Sequence, residues 1–201
     1  QTLTPVAVVV CDGGSSDETV RIAGEMGAMI IAGPRGRGQQ LRAGARVASH
    51  PWLLFLHADT RMSPEAWASV TRYLVQPGAE HCAGTFDLRI DAQNWQARWI
   101  ERAVGYRVRL LGLPYGDQGL LIHRQLYDAI GGFRDLPLME DVDIARRLGR
   151  SRIKRLGAFV TTSAVRWQRR GWLRQTLLNL TCLGLFLIGV DSDRVAKLYG
   201  R

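Results

Sequence analysis

Along the first two thirds of the chain, short apolar runs alternate with segments whose apolar residues recur every three or four positions. Residues 5–11 (PVAVVVC) form a β-branched run that ends in Asp-Gly-Gly, the pattern of a strand covered on both faces. Asp17 then stands as the cap of a helix of roughly ten residues closed by Gly27. Residues 28–32 read as a second strand, and 33–38 (GPRGRG) as a basic, glycine-rich loop. A helix over 39–48 places Leu41, Ala45 and Ala48 on one face, and 52–56 (WLLFL) is a third buried strand. Ser63-Pro64-Glu65 is a cap followed by proline at the first helical position, which predicts a helix to residue 75. Strands follow at 81–90, 119–123 and 158–162, with helices at 93–111, 124–130 and 141–148.

This alternation predicts an α/β fold with a mostly parallel sheet flanked by helices on both faces. From Gly171 the character changes. Residues 173–190 carry only Arg174, Gln175, Asn179 and two threonines among apolar positions, too interrupted for a span of about 20 apolar residues. Residues 191–199 read as a last short helix. The expected organisation is one domain over 1–170 and a C-terminal helical extension over 171–201.

Composition excludes a disordered chain, a collagen and a coiled coil: 46% of the 201 residues are hydrophobic and 22% charged. The formal net charge is +9, carried almost wholly by arginine, with Lys154 and Lys197 the lysines. Such a balance favours anionic partners. The arginines are scattered and no nucleic-acid-binding motif is present, so no nucleic-acid partner is expected. Cys11, Cys82 and Cys182 form no pair pattern, which fits a reducing, cytoplasmic setting. The chain opens on Gln1, without an initiator Met or a signal-peptide pattern.

In sheets of this kind ligands collect at the carboxyl ends of the strands, and three polar clusters fall there. In Asp12-Gly13-Gly14-Ser15-Ser16-Asp17, Asp12 serves equally well as a ligand contact or as part of a turn, while Ser15 and Asp17 read as turn and cap. Arg35-Gly36-Arg37-Gly38 is a plausible diphosphate clamp, Arg37 more than Arg35. In His57-Ala58-Asp59 a carboxylate ends a central strand, which is costly unless it is paired or holds a hard cation such as Mg²⁺ or Mn²⁺. Downstream, Asp117 lies in the turn Gly116-Asp117-Gln118-Gly119. Glu140-Asp141-Val142-Asp143 opens a helix with more acid than a cap needs. Asp143 has Arg146 and Arg147 at helical spacing and reads as structural, leaving Asp141 as a candidate general base.

The ordered series CDGGSSDET, GRGQQLRAGA, LLFLHADT, PYGDQG, GGFRDLPLMEDVDIARRL and RWQRRGW resembles the family 2 glycosyltransferases of the GT-A fold. Within them it is most similar to the bacterial subfamily described as radical-SAM/selenodomain-associated. The resemblance runs from about Val6 to the C-terminus. It implies a GT-A Rossmann-like fold, a nucleotide-diphosphosugar donor, a divalent cation (Mn²⁺ or Mg²⁺) and inversion at the anomeric carbon. By matching motifs, Asp12 corresponds to the acid that contacts the nucleoside, Asp59 to the metal-binding acid of Asp-x-Asp, and Asp141 to the catalytic base. Arg166 and Trp167 resemble the Arg-Trp pair near donor diphosphate and acceptor, and Asp117 joins the substrate-binding set. There are departures. Gly13 stands where many relatives carry a second Asp, and His57 replaces the first acid of Asp-x-Asp. The family's opening strand and helix would lie upstream of Gln1. These departures keep open a degenerate, non-catalytic nucleotide-sugar binder or partner subunit.

Arg166, Arg169, Arg170 and Arg174 adjoin Trp167, Trp172 and the apolar C-terminal run. That composition suits a helix on an anionic membrane, which a lipid acceptor rather than a saccharide one would favour, and equally a helix packed on the sheet or a homodimer contact.

Overall fold

The computed structural model describes residues 7–200. They form, in order, β1 (Val9–Asp12), α1 (Thr19–Glu25), β2 (Met29–Ala32), α2 (Arg37–Val47), β3 (Trp52–Phe55), β4 (Thr60–Met62), α3 (Pro64–Leu74), β5 (Ala83–Ile90), α4 (Trp95–Leu111), β6 (Leu120–His123), α5 (Arg124–Ala129), α6 (Glu140–Leu148), β7 (Ile153–Thr162), α7 (Val165–Arg170), α8 (Trp172–Leu187) and α9 (Ser192–Tyr199).

The α/β class is as expected, and the ladders are mixed. β1 and β2 pair in parallel as a two-stranded unit. The remaining strands run in the order β3-β6-β5-β7-β4. There β5 and β7 are parallel, while β3/β6, β5/β6 and β4/β7 are antiparallel. The period-2 alternation of strands divides the core into layers. Leu120 and Ile122 of β6 pack with Ala45 of α2, Phe133 and Ile144 of α6. Leu121, between them, points the other way and packs with Phe86, Val160 and the α3 residues Ala66, Val70 and Tyr73.

Several expectations need correction. Of residues 5–11, 5 and 6 lie outside the described residues, and β1 is half-buried rather than covered on both faces. Helix α1 has seven residues and Glu18 at its cap position. Asp17 lies one residue earlier and accepts from the Thr19 backbone N–H and hydroxyl. Helix α2 begins at Arg37, inside the segment read as loop. There Gly38 permits a close approach: a Cβ would lie 2.2 Å from the Arg134 carbonyl oxygen. β7 starts at Ile153, five residues earlier than expected. β4 was not expected at all, being three residues whose partner lies about a hundred positions downstream. The Ser63 cap of α3 is as read, its hydroxyl accepting from the Ala66 N–H.

The turn between α4 and β6 is fastened from inside. Gln118 is 1% exposed. Its amide N–H donates to the Phe86 carbonyl (3.0 Å), and its Oε1 accepts from the Arg107 guanidinium (3.1 Å) and the Tyr115 N–H (3.3 Å). The Thr85 hydroxyl adds a bond to the Gly119 carbonyl (3.0 Å), and Arg107 lies over the Tyr115 ring, 3.4 Å from its centroid. A buried amide of this kind matters most through the groups left unpaired without it. Gln118→Leu is expected to destabilise the fold by about 2–3 kcal/mol, lowering the melting temperature by roughly 5–10 °C. An unchanged melting curve would show that the turn is held by other means.

Candidate active site

The fastened turn forms one side of a cleft lined by Arg37, Asp59, Asp117, Asp141, Arg166 and Trp167. Six of the seven residues singled out in the sequence therefore meet in one place. The seventh, Asp12, does not line it. Its carboxylate is turned into its own loop, accepting from the Gly14 and Ser15 N–H groups and from the Ser15 hydroxyl (2.5 Å). The Ser15 bonds hold its pKa below the ordinary carboxylate value.

Register explains how distant residues meet. β4 pairs Thr60 with Thr162, so Asp59 lies beside Ser163, whose N–H donates to the Asp59 carbonyl (3.1 Å). The chain then enters α7, and the Arg166 guanidinium reaches the Asp59 carboxylate at 3.1 Å. Asp141 opens α6 after Met139, the one non-glycine residue with positive φ (66°) among the described residues. That left-handed residue is a costly conformation held next to the acids. The Asp141 carboxylate accepts from the Gly116 N–H (2.8 Å) and from the Val142 N–H (2.7 Å). Gly116 is also the point where the turn touches His57: a Cβ there would lie 2.2 Å from Nε2. Turn, β3 end and α6 start are thus locked together around the acids. Asp143 is structural as expected, although its partners are Arg147 and Arg134 rather than Arg146.

Three residues lining this cleft carry a buried side-chain polar atom without a hydrogen-bond partner: Asp117 Oδ1, Trp167 Nε1 and Gln175 Oε1. Buried polar atoms are nearly always paired, so such a concentration marks a surface suited to a polar ligand. Burial pushes the Asp117 carboxyl up to about 6. Arg107 opposes the rise, and the neighbouring Asp141 adds to it. Burial likewise pushes Tyr115 up to about 12.

The sequence reading missed the part of the wall made by Gln175, Asn179 and Tyr199. The Gln175 amide donates to Asn179 Oδ1 (2.8 Å) and to the Tyr199 hydroxyl (3.1 Å). Two amides one helical turn apart in an otherwise apolar helix were the available signal.

Among the described residues, no group of three or more His, Cys, Asp and Glu side chains is placed to close around a metal ion. Asp59 offers one hard carboxylate at the cleft. A Mg²⁺-type ion can be held by one or two carboxylates when phosphates complete its shell, so the donors present fit only a sparsely held cation.

Residues 1–134 match the sequence profile of glycosyl transferase family 2. The chain belongs to this family. Its fold is similar to that of the mannosyltransferase PcManGT from Pyrobaculum calidifontis, solved with GDP-Man and Mn²⁺. That likeness has 17% identity and a TM-score of 0.55 over 77% of this chain and 47% of the other. It is also similar to mannosyl-3-phosphoglycerate synthase from Rubrobacter xylanophilus (16% identity, TM-score 0.55, 91% and 64%). A third similar structure is GalNAc-T7 with UDP, GalNAc and Mn²⁺ (14%, 0.55, 78% and 37%). At these identities the likeness is one of fold, and it bears out the GT-A class. The chain spans about half the length of the first of these proteins.

The raised Asp117 pKa gives this family 2 member a pH signature. Between the ordinary value of 3.8 and about 6, the folded protein keeps a proton that the unfolded chain has lost. Stability therefore falls as pH rises through that window. Asp117→Asn should flatten the dependence and raise stability at pH 7 by at most about 3 kcal/mol. Denaturant melts at pH 4 and pH 7 check this, and an unchanged pH profile would count against the burial of a charged carboxylate here.

Proposed function

We propose that this protein transfers a sugar from a nucleotide-diphosphosugar to an acceptor hydroxyl with inversion, using the cleft as its active site. The observation that carries the reading is the convergence of three carboxylates, two arginines and three orphaned buried polar atoms in one cleft of a family 2 chain. The motif series further suggests the radical-SAM/selenodomain-associated bacterial subfamily. Residues 1–170 would be the transferase unit and 171–201 an extension that closes the cleft.

In the proposed single displacement the acceptor oxygen attacks the anomeric carbon while the bond from that carbon to the diphosphate oxygen breaks. Asp141 takes the acceptor proton as the new bond forms. The backbone N–H groups of Gly116 and Val142 hold its carboxylate in place beforehand. Arg37 and Arg166 balance charge on the departing diphosphate. Arg166 would exchange its present partner, the Asp59 carboxylate, for the diphosphate. A Mn²⁺ or Mg²⁺ ion held by Asp59 would add electrostatic stabilisation of that leaving group. Trp167 and Asp117 would position the sugar through Nε1 and Oδ1. Asp12 would contact the nucleoside beyond the cleft. In support, its turn is tied to the Arg37 segment, Arg35 donating to the Gly13 carbonyl (3.2 Å) and Gln40 to the Cys11 carbonyl (3.1 Å). Gln175, Asn179 and Tyr199 would face the acceptor.

Asp141→Asn is expected to lower transfer by about 10²–10⁴-fold while leaving donor binding intact. Thermal-shift titration with GDP- and UDP-sugars, alongside a transfer or donor-hydrolysis assay, separates the two effects. Near-normal turnover in that variant would remove Asp141 from the role of base. Asp59→Ala should abolish any Mn²⁺-dependent part of the donor shift. Donor binding with neither transfer nor hydrolysis in the unmodified protein would instead favour the non-catalytic nucleotide-sugar binder.

A further inference from the structure

Helix α4 buries Ala97, Ile100, Val104 and Val108 against the end of β5 and against Trp167 of α7. Its opposite face should then be polar. Instead the positions diametrically across carry Trp95, Trp99, Arg102, Tyr106, Arg109 and Leu110. Trp95 is 73% exposed, Trp99 57%, Tyr106 64% and Leu110 61%. Spacings of four, three, four and three from Trp95 to Arg109, with Leu110 four beyond Tyr106, place them in one stripe. The one acid of α4, Glu101, is turned away from it. Glu101 accepts from the Ile90 N–H (2.7 Å) and pairs with Arg98 (3.0 Å).

Helix α8 repeats the arrangement. Its inner face includes Gln175 and Asn179, which line the cleft. Its outer face carries Leu173, Leu177 and Leu180, each more than half exposed, with Leu187 and Ile188 at its end. Trp172, the first residue of α8, packs against the α4 cluster and stacks on Trp167, so this end of α8 adjoins α4. No acid occurs in residues 165–190; of the arginines there, Arg166 pairs with Asp59 in the cleft and Arg170 with Tyr199, and Arg169 and Arg174 complete the set. No helix among the described residues is long and apolar enough to cross a membrane.

Exposed tryptophan and tyrosine, an open leucine face and arginine without interspersed acid match the chemistry of a bilayer interface. Aromatic rings sit at headgroup level, apolar side chains enter the acyl boundary, and arginines meet anionic headgroups. We infer that the outer faces of α4 and α8 together dock this protein on an anionic membrane surface. Charge decides this occupant over a second copy of the chain. Two copies, each with a net charge of +9, repel one another, whereas anionic lipid neutralises that charge. The inference adds to the proposed transferase reading.

The test is co-sedimentation of the full chain with vesicles of phosphatidylcholine mixed with phosphatidylglycerol, and with phosphatidylcholine alone. Binding is expected to the mixed vesicles, weakened by salt, with a blue shift of tryptophan emission. Trp99→Ser with Tyr106→Ser, and separately Leu177→Ser with Leu180→Ser, should each weaken partitioning roughly tenfold or more. These side chains are exposed, so circular dichroism and melting temperature should hold, and so should donor binding without vesicles. Asp141→Asn should bind vesicles as the parent does, which separates this inference from the transferase reading. Absence of vesicle binding, or equal binding by both double variants, would overturn it. So would a concentration-dependent dimer broken by the same substitutions in a chain that ignores vesicles.

Discussion

The site depends on the side-chain amide of Gln118, placed where water cannot serve it. Its three bonds tie a five-residue turn to the central strand β5 through the Phe86 carbonyl and to α4 through Arg107. Several polar groups of the cleft stand on that turn or against it. Gly116 presents its N–H to Asp141, Asp117 is carried into the cleft, and the His57 ring closes on the glycine surface. The turn is irregular backbone within the protein, and such backbone is tolerable only when its polar groups are paired. Gln118 does that pairing with one side chain, and it thereby converts the rigidity of β5 into fixed positions for two carboxylates.

Around this anchor the cleft is arranged against its own stability. Asp117 is buried near Asp141, Met139 holds a left-handed backbone conformation, and three buried polar atoms lack partners. Each of these costs free energy in the folded state. Their concentration at one place is the pattern of a site organised for a charged, polar ligand rather than for packing. The layered core on both sides of β6 and the capped helices supply the stability that this cluster draws down.

The C-terminal helices extend the same economy of position. One face of α8 contributes Gln175 and Asn179 to the cleft, while Cys182 and Leu183 pack with α6 and α9. The third face is left open as leucine. A helix that contributes to chemistry, core and surface at once cannot be assigned from its average hydropathy, because each role uses a different third of its circumference.

What the sequence alone determined here was local. The Ser63-Pro64 start of α3, the strand after Gly119 and the acid-rich start of α6 are set by residues within one or two turns of each other, so their patterns could be read directly. The motif series also marked six residues that the cleft brings together: Arg37, Asp141, Arg166 and Trp167 in the first turns of helices, Asp59 and Asp117 in turns that lead into strands. Tertiary structure decided the rest. The three residues of β4 have no strand pattern of their own and exist through pairing with β7, which in turn sets the Asp59–Arg166 contact across 107 positions. Nor could periodicity show which face of α4 is buried, since its apolar residues run round the whole helix. The answer came from where β5 and Trp167 lie. Asp12 corresponds by motif to a nucleoside-contacting acid, and in the fold its carboxylate accepts from Gly14 and Ser15 of its own turn. Local pattern fixes elements through nearest neighbours. Long-range pairing and burial choose partners and faces, and no short window of sequence contains them.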